Sequence, residues 1–227
     1  MKTSLLRRSV AEFLGSAFLV AAVIGSGIMA ERLSGGNLAL ALLANTIATG
    51  AALVALILAF GSISGAHFNP VVSLADAIEG GLAWREVPAY VLAQVLGGVA
   101  GTMLAHLMFS LPLVSFSRHA RSGAAQVFSE FVATFGLMCV IWGCSRSRPN
   151  MVPFAVGSYI AAAYWFTAST SFANPAVTIA RSLSDTFAGI RPVDVLPFVG
   201  AQVAGGVGAT FLFRWLNRSF GVQNKNS

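Results

Sequence analysis

The sequence predicts an all-α membrane protein with six transmembrane helices and two re-entrant half helices in an inverted repeat. Three observations predict it. Of 227 residues, 56% are hydrophobic and only 10% charged, with mean hydropathy +0.76, too few charges to cover a water-facing surface. Six apolar segments approach or reach the roughly 20 residues needed to cross a hydrocarbon core. A short Asn-Pro motif occurs twice within apolar sequence, as Phe68-Asn69-Pro70-Val71-Val72-Ser73 and Ala173-Asn174-Pro175-Ala176-Val177-Thr178, 105 positions apart.

The first span, residues 10–29, is broken only by Glu12. The basic stretch MKTSLLRRSV before it resembles the start of a signal peptide. The apolar run is long enough to span, however, and more spans follow, so an uncleaved first helix is expected. Further spans are expected at residues 37–60, 87–110, 124–144, 151–167 and 195–213. Two stretches remain, at 69–78 and 174–183. Each has about 10 residues, or ~15 Å of helix, half the hydrocarbon thickness.

Asn is a preferred N-cap and Pro a preferred first helical residue, so each short stretch reads as a half helix starting at its Asn. The irregular backbone before each Asn must then be buried in protein or line a watery path. This applies to Ser64-Gly65-Ala66-His67-Phe68 and Ser169-Thr170-Ser171-Phe172-Ala173. The carbonyls of Gly65, Ala66, His67, Thr170 and Phe172 are expected to face that path. Two half helices pointing their positive N-terminal ends at the bilayer centre oppose cations there. Asn69 and Asn174 can cap with the side-chain oxygen and leave the amide NH2 as a donor into the lumen.

Other pieces of sequence also occur twice. Ala11-Glu12-Phe13 recurs as Ser129-Glu130-Phe131, and Ala93-Gln94-Val95-Leu96-Gly97-Gly98-Val99 as Ala201-Gln202-Val203-Ala204-Gly205-Gly206-Val207. The chain is thus expected to be one membrane channel domain, residues 1–227, with repeats near 1–112 and 120–220. Three spans per repeat is an odd number, so the second copy inserts upside down. Inverted repeats with broken helices at the midplane mark a transport site. Gly97, Gly98, Gly101, Gly205, Gly206 and Gly208 suit close helix packing.

The net charge of +6 is assigned to cytoplasmic loops rather than to a nucleic-acid partner. With the N-terminus inside, nine of the 14 Lys and Arg residues, Lys2 and Lys225 among them, fall on the inner side. Arg32, Arg118, Arg121, Arg181 and Arg191 fall on the outer side. Both termini are therefore expected to be cytoplasmic. Cys139 and Cys144 lack metal-ligand spacing and read as small buried hydrophobes. No metal, cofactor or enzyme site is expected: no Ser-His-Asp set, metal-ligand cluster or phosphate loop is discernible.

The segments SGAHFNPVVSLADA and SFANPAVTIARSL, with Glu12, Glu130, Gln94 and Gln202 in step, resemble the major intrinsic proteins, the aquaporins and aquaglyceroporins. The resemblance covers nearly the whole chain. It implies an aquaporin-like bundle, a homotetramer with one pore per subunit, and small neutral solutes and water as partners within the lipid bilayer. It also implies a structural role for Glu12 and Glu130, accepting hydrogen bonds from the re-entrant loops. The rival reading is a proton relay in a coupled transporter. His67 is expected to brace its loop, with a gate or proton site as the alternative. His106 and His119 receive no role. Val71 departs from the Ala usual in the first motif, and the Asn69 donor is expected to survive it.

The family has a second, outer constriction lined by four residues. Counted from the motifs, they are Thr49, Ala162, Ser171 and Val177. Most relatives carry Arg at the last place. Arg181, one turn beyond Val177, could lean back toward the pore but is read as an outer-surface charge or a helix–loop contact. Lacking Arg, His and an aromatic, the constriction is expected to be wide and partly apolar. That suits glycerol-like polyols, urea and neutral hydroxy-metalloids such as arsenous acid. Arg-less aquaglyceroporin-like channels also resemble a branch associated with bacterial arsenic resistance, which implies a bacterial inner membrane, arsenite and methylated trivalent arsenicals. An ordinary water, ammonia or urea channel and a structural protein with a closed pore are the other readings.

Overall fold

The computed structural model describes residues 3–218, so Lys2, Lys225 and the extreme ends of both repeats lie outside the described residues. Eight α-helices follow in order: α1 Leu5–Leu33, α2 Leu38–Ser64, α3 Pro70–Glu79, α4 Val87–Met108, α5 Ala124–Ser147, α6 Val152–Phe166, α7 Pro175–Arg181 and α8 Pro192–Arg218. Six are the expected spans, and α3 and α7 are the expected half helices.

Several spans run past the expected bounds, because helix continues beyond the apolar stretch that composition detects. Five of the helices are long and apolar enough to cross a membrane. The remaining span, α6, has only 15 residues. A 3-10 turn at Pro149–Met151 precedes it, bringing the pair to roughly 28 Å. Half helix α7 stops at Arg181, short of the expected residue 183. The loop before α5 claims the chain after it: Ser117 N donates to Ser182 O and Ser115 N to Leu183 O, both at 3.0 Å.

The starts of both half helices follow from residue chemistry. Asn69 and Asn174 are extended N-caps. Asn69 Oδ1 accepts from Val71 N, and Asn174 Oδ1 from Ala176 N and Val177 N. Each Pro supplies the first helical residue, where its missing N–H costs nothing.

Helix α1 packs on α4 and α2, α5 on α8 and α6, and the α2–α6 contact joins the halves. The half helices cross over: α3 packs on α8 and α7 on α4. Glycines permit this. A side chain at Gly97 or Gly101 would overlap the α1 backbone at Phe13 or Ala17, and one at Gly205 the α5 backbone at Phe131. A Cβ at Gly206 would overlap Val71 Cγ1, so Gly206 makes the room that the unusual Val71 needs. Gly208 differs: a Cβ there would meet only Phe135, at 3.7 Å, an ordinary contact. Its expected packing role is therefore corrected.

Charged residues join the elements at one end of the bundle. Arg8 forks onto Glu86 at 2.8 and 3.0 Å. Glu79, closing α3, meets Arg146 of α5 at 3.2 Å and Arg214 of α8 at 3.1 Å.

Candidate functional site

The two re-entrant loops carry left-handed backbone at equivalent places. In the first, Gly65, Ala66 and Phe68 have φ of 92°, 50° and 49°. In the second, Thr170, Ser171 and Ala173 have φ of 60°, 50° and 49°. Five of these six are not glycine, and each such residue costs roughly 1–2 kcal/mol. Buried hydrogen bonds hold the strained backbone. Glu12 Oε1 accepts from Ser64 Oγ at 2.6 Å and His67 N at 3.0 Å. Its Oε2 accepts from Phe68 N at 2.7 Å and Gln94 Nε2 at 2.8 Å. Glu130 repeats this, accepting from Phe172 N and Ala173 N at 2.8 Å and Gln202 Nε2 at 2.6 Å. Each glutamine also donates to its half helix, Gln94 to Ser73 Oγ and Gln202 to Thr178 Oγ1, both at 2.8 Å. Sequence reasoning did not single out Ser73 and Thr178, although they share the 105-residue offset of the Asn-Pro motifs.

The two asparagines are tied across the junction of the repeats. Asn69 Nδ2 donates to Ala173 O and Asn174 Nδ2 to Phe68 O, each at 2.7 Å. The amides are thus not wholly free for the lumen. One hydrogen of each is engaged, and an amide carries two.

Both asparagines line an internal cavity of about 240 Å³. Its apolar walls come from helical stripes spaced by four: Leu19 and Val23 on α1, Thr49, Leu53 and Ile57 on α2, and Val152, Val156, Ile160 and Tyr164 on α6. Facing them are the loops, in which the carbonyls of Ala66, His67, Ser171 and Phe172 accept no hydrogen bond from the described residues. The cavity is walled by apolar helical stripes on one side and by the re-entrant loops on the other.

Of the four residues counted to the outer constriction, Thr49, Ser171 and Val177 line the cavity. Ala162 does not, and that expectation is corrected. It is exposed on α6, two residues or about 200° from Ile160 and Tyr164, which do line it. An aromatic is therefore present: Tyr164 OH donates to Thr49 Oγ1 at 3.3 Å. Thr170 is likewise not in the lining, because its Oγ1 turns to accept from Arg121 Nη1 at 3.3 Å. Gly65, Ala66, His67, Phe172 and Val72, the equivalent of Val177, are in it. Ser171 Oγ is buried without a protein partner. The stripe Val156, Ile160, Tyr164 was readable as helical spacing, but nothing in its composition separated it from a lipid-facing stripe.

Arg181 also requires correction. It makes a helix–loop contact, with Nε donating to Ala188 O, but it is no surface charge. It is 2% exposed, lines the cavity, and sits over the Phe172 ring with Cζ 3.4 Å from the centroid. Arg121, in the loop between α4 and α5, lies 4.9 Å from the same ring. Its guanidinium donates to Gly189 O and Ser169 O, and burial pushes its pKa down to about 10. At the other end, His67 Nδ1 lies 3.1 Å from Ser73 Oγ, and Nε2 lies 3.7 Å from Asp76 Oδ2. His106 Nε2 lies 2.8 Å from Ser184 Oγ, tying α4 to the loop after α7.

Comparison with known proteins agrees with this architecture. The family model described as "MIP: Major intrinsic protein" matches residues 1–171. The chain is 58% identical over 212 residues to aquaglyceroporin AqpS of Rhizobium meliloti, covering 93% of this chain and 91% of the relative. It is 35% identical over 228 residues to aquaporin NIP1-4 of Oryza sativa subsp. japonica, covering 94% and 79%. The X-ray structure of the aquaglyceroporin from Plasmodium falciparum superposes with TM-score 0.73 at 20% identity, covering 95% of this chain and 98% of that one. That likeness carries the fold.

Proposed function

We propose that this chain, which belongs to the major intrinsic protein family, is a passive channel for small neutral solutes with a wide outer constriction. Its solutes are glycerol-like polyols, water, arsenous acid and methylated trivalent arsenicals. The observation that carries the reading is Val177. It lies 6% exposed in the cavity wall beside Thr49 and Ser171, at the place where the motif resemblance leads one to expect Arg.

A short apolar side chain there leaves width that a guanidinium would fill. The unpartnered Ser171 hydroxyl and the free loop carbonyls offer hydrogen bonds to a solute shedding water. The facing α2 and α6 stripes suit its carbon or metalloid face. A polyol has both faces. So does arsenous acid, uncharged near neutral pH with three hydroxyls. We further propose cytoplasmic termini, on the charge asymmetry of the loops, and a homotetramer in a bacterial plasma membrane, on the family resemblance.

Reconstituted liposomes test the reading with a size series of neutral solutes including arsenous acid. Swelling faster than empty liposomes, persisting to solutes larger than water, is the expected result. Uptake against a gradient driven by a proton gradient would replace the channel with a coupled transporter. The engaged oxygens of Glu12 and Glu130 weigh against that.

A further inference from the structure

A buried guanidinium is costly unless its donors are satisfied. Arg181 satisfies one of five within the protein, through Nε to Ala188 O. Neither of its Nη atoms has an acceptor among the described residues, and it forms no ion pair with the described carboxylates. It nevertheless lines the cavity at 2% exposure. The donors left over are available to whatever fills the lumen. Arg121 is the contrasting case. Its Nε and Nη1 donate to Gly189 O, Ser169 O and Thr170 Oγ1, and it is absent from the cavity wall.

The place of Arg181 in the repeat adds a second observation. It lies seven residues after Asn174, as Asp76 lies seven after Asn69. Both line the cavity. Each faces the ring two residues before its asparagine: Arg181 sits over Phe172, and Asp76 lies near His67 Nε2. The two ends of one cavity therefore carry side chains of opposite sign.

Resting on the channel reading above, we propose that Arg181 is the cation barrier of this pore. Its charge stands one helical turn outward from Val177 and acts from the wall beside the constriction. Width and charge, which one Arg at position 177 would supply together, are separated here. Val177 leaves room for bulky neutral solutes. The Arg181 guanidinium, held flat on Phe172 and fixed by Ala188 O, sets a positive potential in a low-dielectric passage. Ser171 and Thr49 then remain as uncharged contacts for the solute.

The test measures glycerol and potassium permeability of the full-length protein in the same liposomes. Wild type should pass glycerol and hold potassium at the level of empty liposomes. Arg181→Gln should raise potassium permeability about tenfold or more while glycerol still passes faster than through empty liposomes. Adding Val177→Arg to that variant should restore the potassium barrier while slowing glycerol. A merely structural arginine would lower both fluxes together.

Arg181→Lys gives an independent measurement should the Gln variant fail to assemble. It keeps a charge at neutral pH but loses it at lower pH than Arg does. Potassium leak should then appear between about pH 8 and 10 in the Lys variant and only at higher pH in wild type. Potassium permeability equal to wild type in a glycerol-conducting Gln variant would overturn the proposal. So would a Lys variant that stays tight across that range, or a wild type that leaks potassium. Wild-type vesicles no more permeable to glycerol than empty ones would instead remove the channel reading itself.

Discussion

The hydroxyl of Tyr164 on α6 donates to Thr49 Oγ1 on α2 at 3.3 Å, and both side chains line the same cavity. The two helices can approach because Gly50 and Gly157 face each other: a Cβ on Gly157 would lie 2.7 Å from Gly50 O. The bond places the only ring on the α6 stripe against the small hydroxyl of Thr49. It also uses Thr49 Oγ1 as an acceptor while leaving its own hydrogen to a solute.

Tyr164→Ala should therefore widen the passage. We expect flux of polyols larger than glycerol to rise about three- to tenfold, with water changing less than twofold, in stopped-flow liposome assays. Tyr164→Phe keeps the ring and should change the size cut-off little. If the Ala variant left the cut-off where it was, Tyr164 would not bound the narrow part of the path.

Val177→Arg should narrow the same region. Arsenous acid and glycerol flux should fall by about tenfold and water flux by less, read from swelling rates normalised to protein content. A fall of equal proportion for all solutes would place Val177 away from the constriction.

Glu130 holds the loop through Phe172 N and the left-handed Ala173 N and is fully buried. Glu130→Ala leaves those N–H groups and Gln202 Nε2 without their acceptor, at about 1–3 kcal/mol each where no water replaces it. We expect loss of folded protein in detergent by fluorescence-detected size exclusion, with a lower thermal midpoint. Glu12→Ala should behave alike. Variants with wild-type midpoints that had lost only a proton-driven uptake would favour the relay reading.

Gly97→Val should prevent α4 from reaching α1, because its Cβ would overlap the Phe13 carbonyl. Backbone cannot yield as a flexible side chain does, so destabilisation of about 3 kcal/mol or more is expected. Gly208→Ala is the control: its Cβ would make only an ordinary contact with Phe135, at 3.7 Å, and its midpoint should stay within a few degrees of wild type. Equal effects from both would mean that close approach is not what Gly97 provides.

Much of the architecture was legible because its signals are local. Pro175 and Pro70 mark helix starts wherever they sit, and Asn before each supplies the cap. The repeated Glu, Gln and Asn-Pro positions disclosed the halves before any contact was known. That Glu12 and Glu130 would accept from the re-entrant loops was implied by the family resemblance; which N–H groups they take, Phe172 N and Ala173 N for Glu130, came only from the structure.

Other features of the site were not legible, for identifiable reasons. Counting back from Asn174 reached Ala162, but the count cannot tell where α6 ends and the loop begins, and each residue of error turns the helix by 100°. Asn69 and Asn174 were expected to donate freely into the lumen. Their distant partners, Ala173 O and Phe68 O, exist only once the two loops meet. Arg181 was read as an outer-surface charge or a helix–loop contact. The contact forms, but Phe172 and the Ala188 carbonyl receive the charge in the cavity wall rather than at the surface.

The sequence by itself determined the class of protein, the order of spans and half helices, the inverted repeat and the residues that start and brace the re-entrant loops. Each depends on composition or on chemistry within a few residues. Only the tertiary structure decided which face of α6 meets the cavity, that Tyr164 rather than Ala162 stands beside Thr49, and that the Arg181 charge turns inward. In a bilayer both sides of a helix are apolar, so lipid-facing and cavity-facing stripes share one composition. Packing of the other helices alone breaks that equivalence.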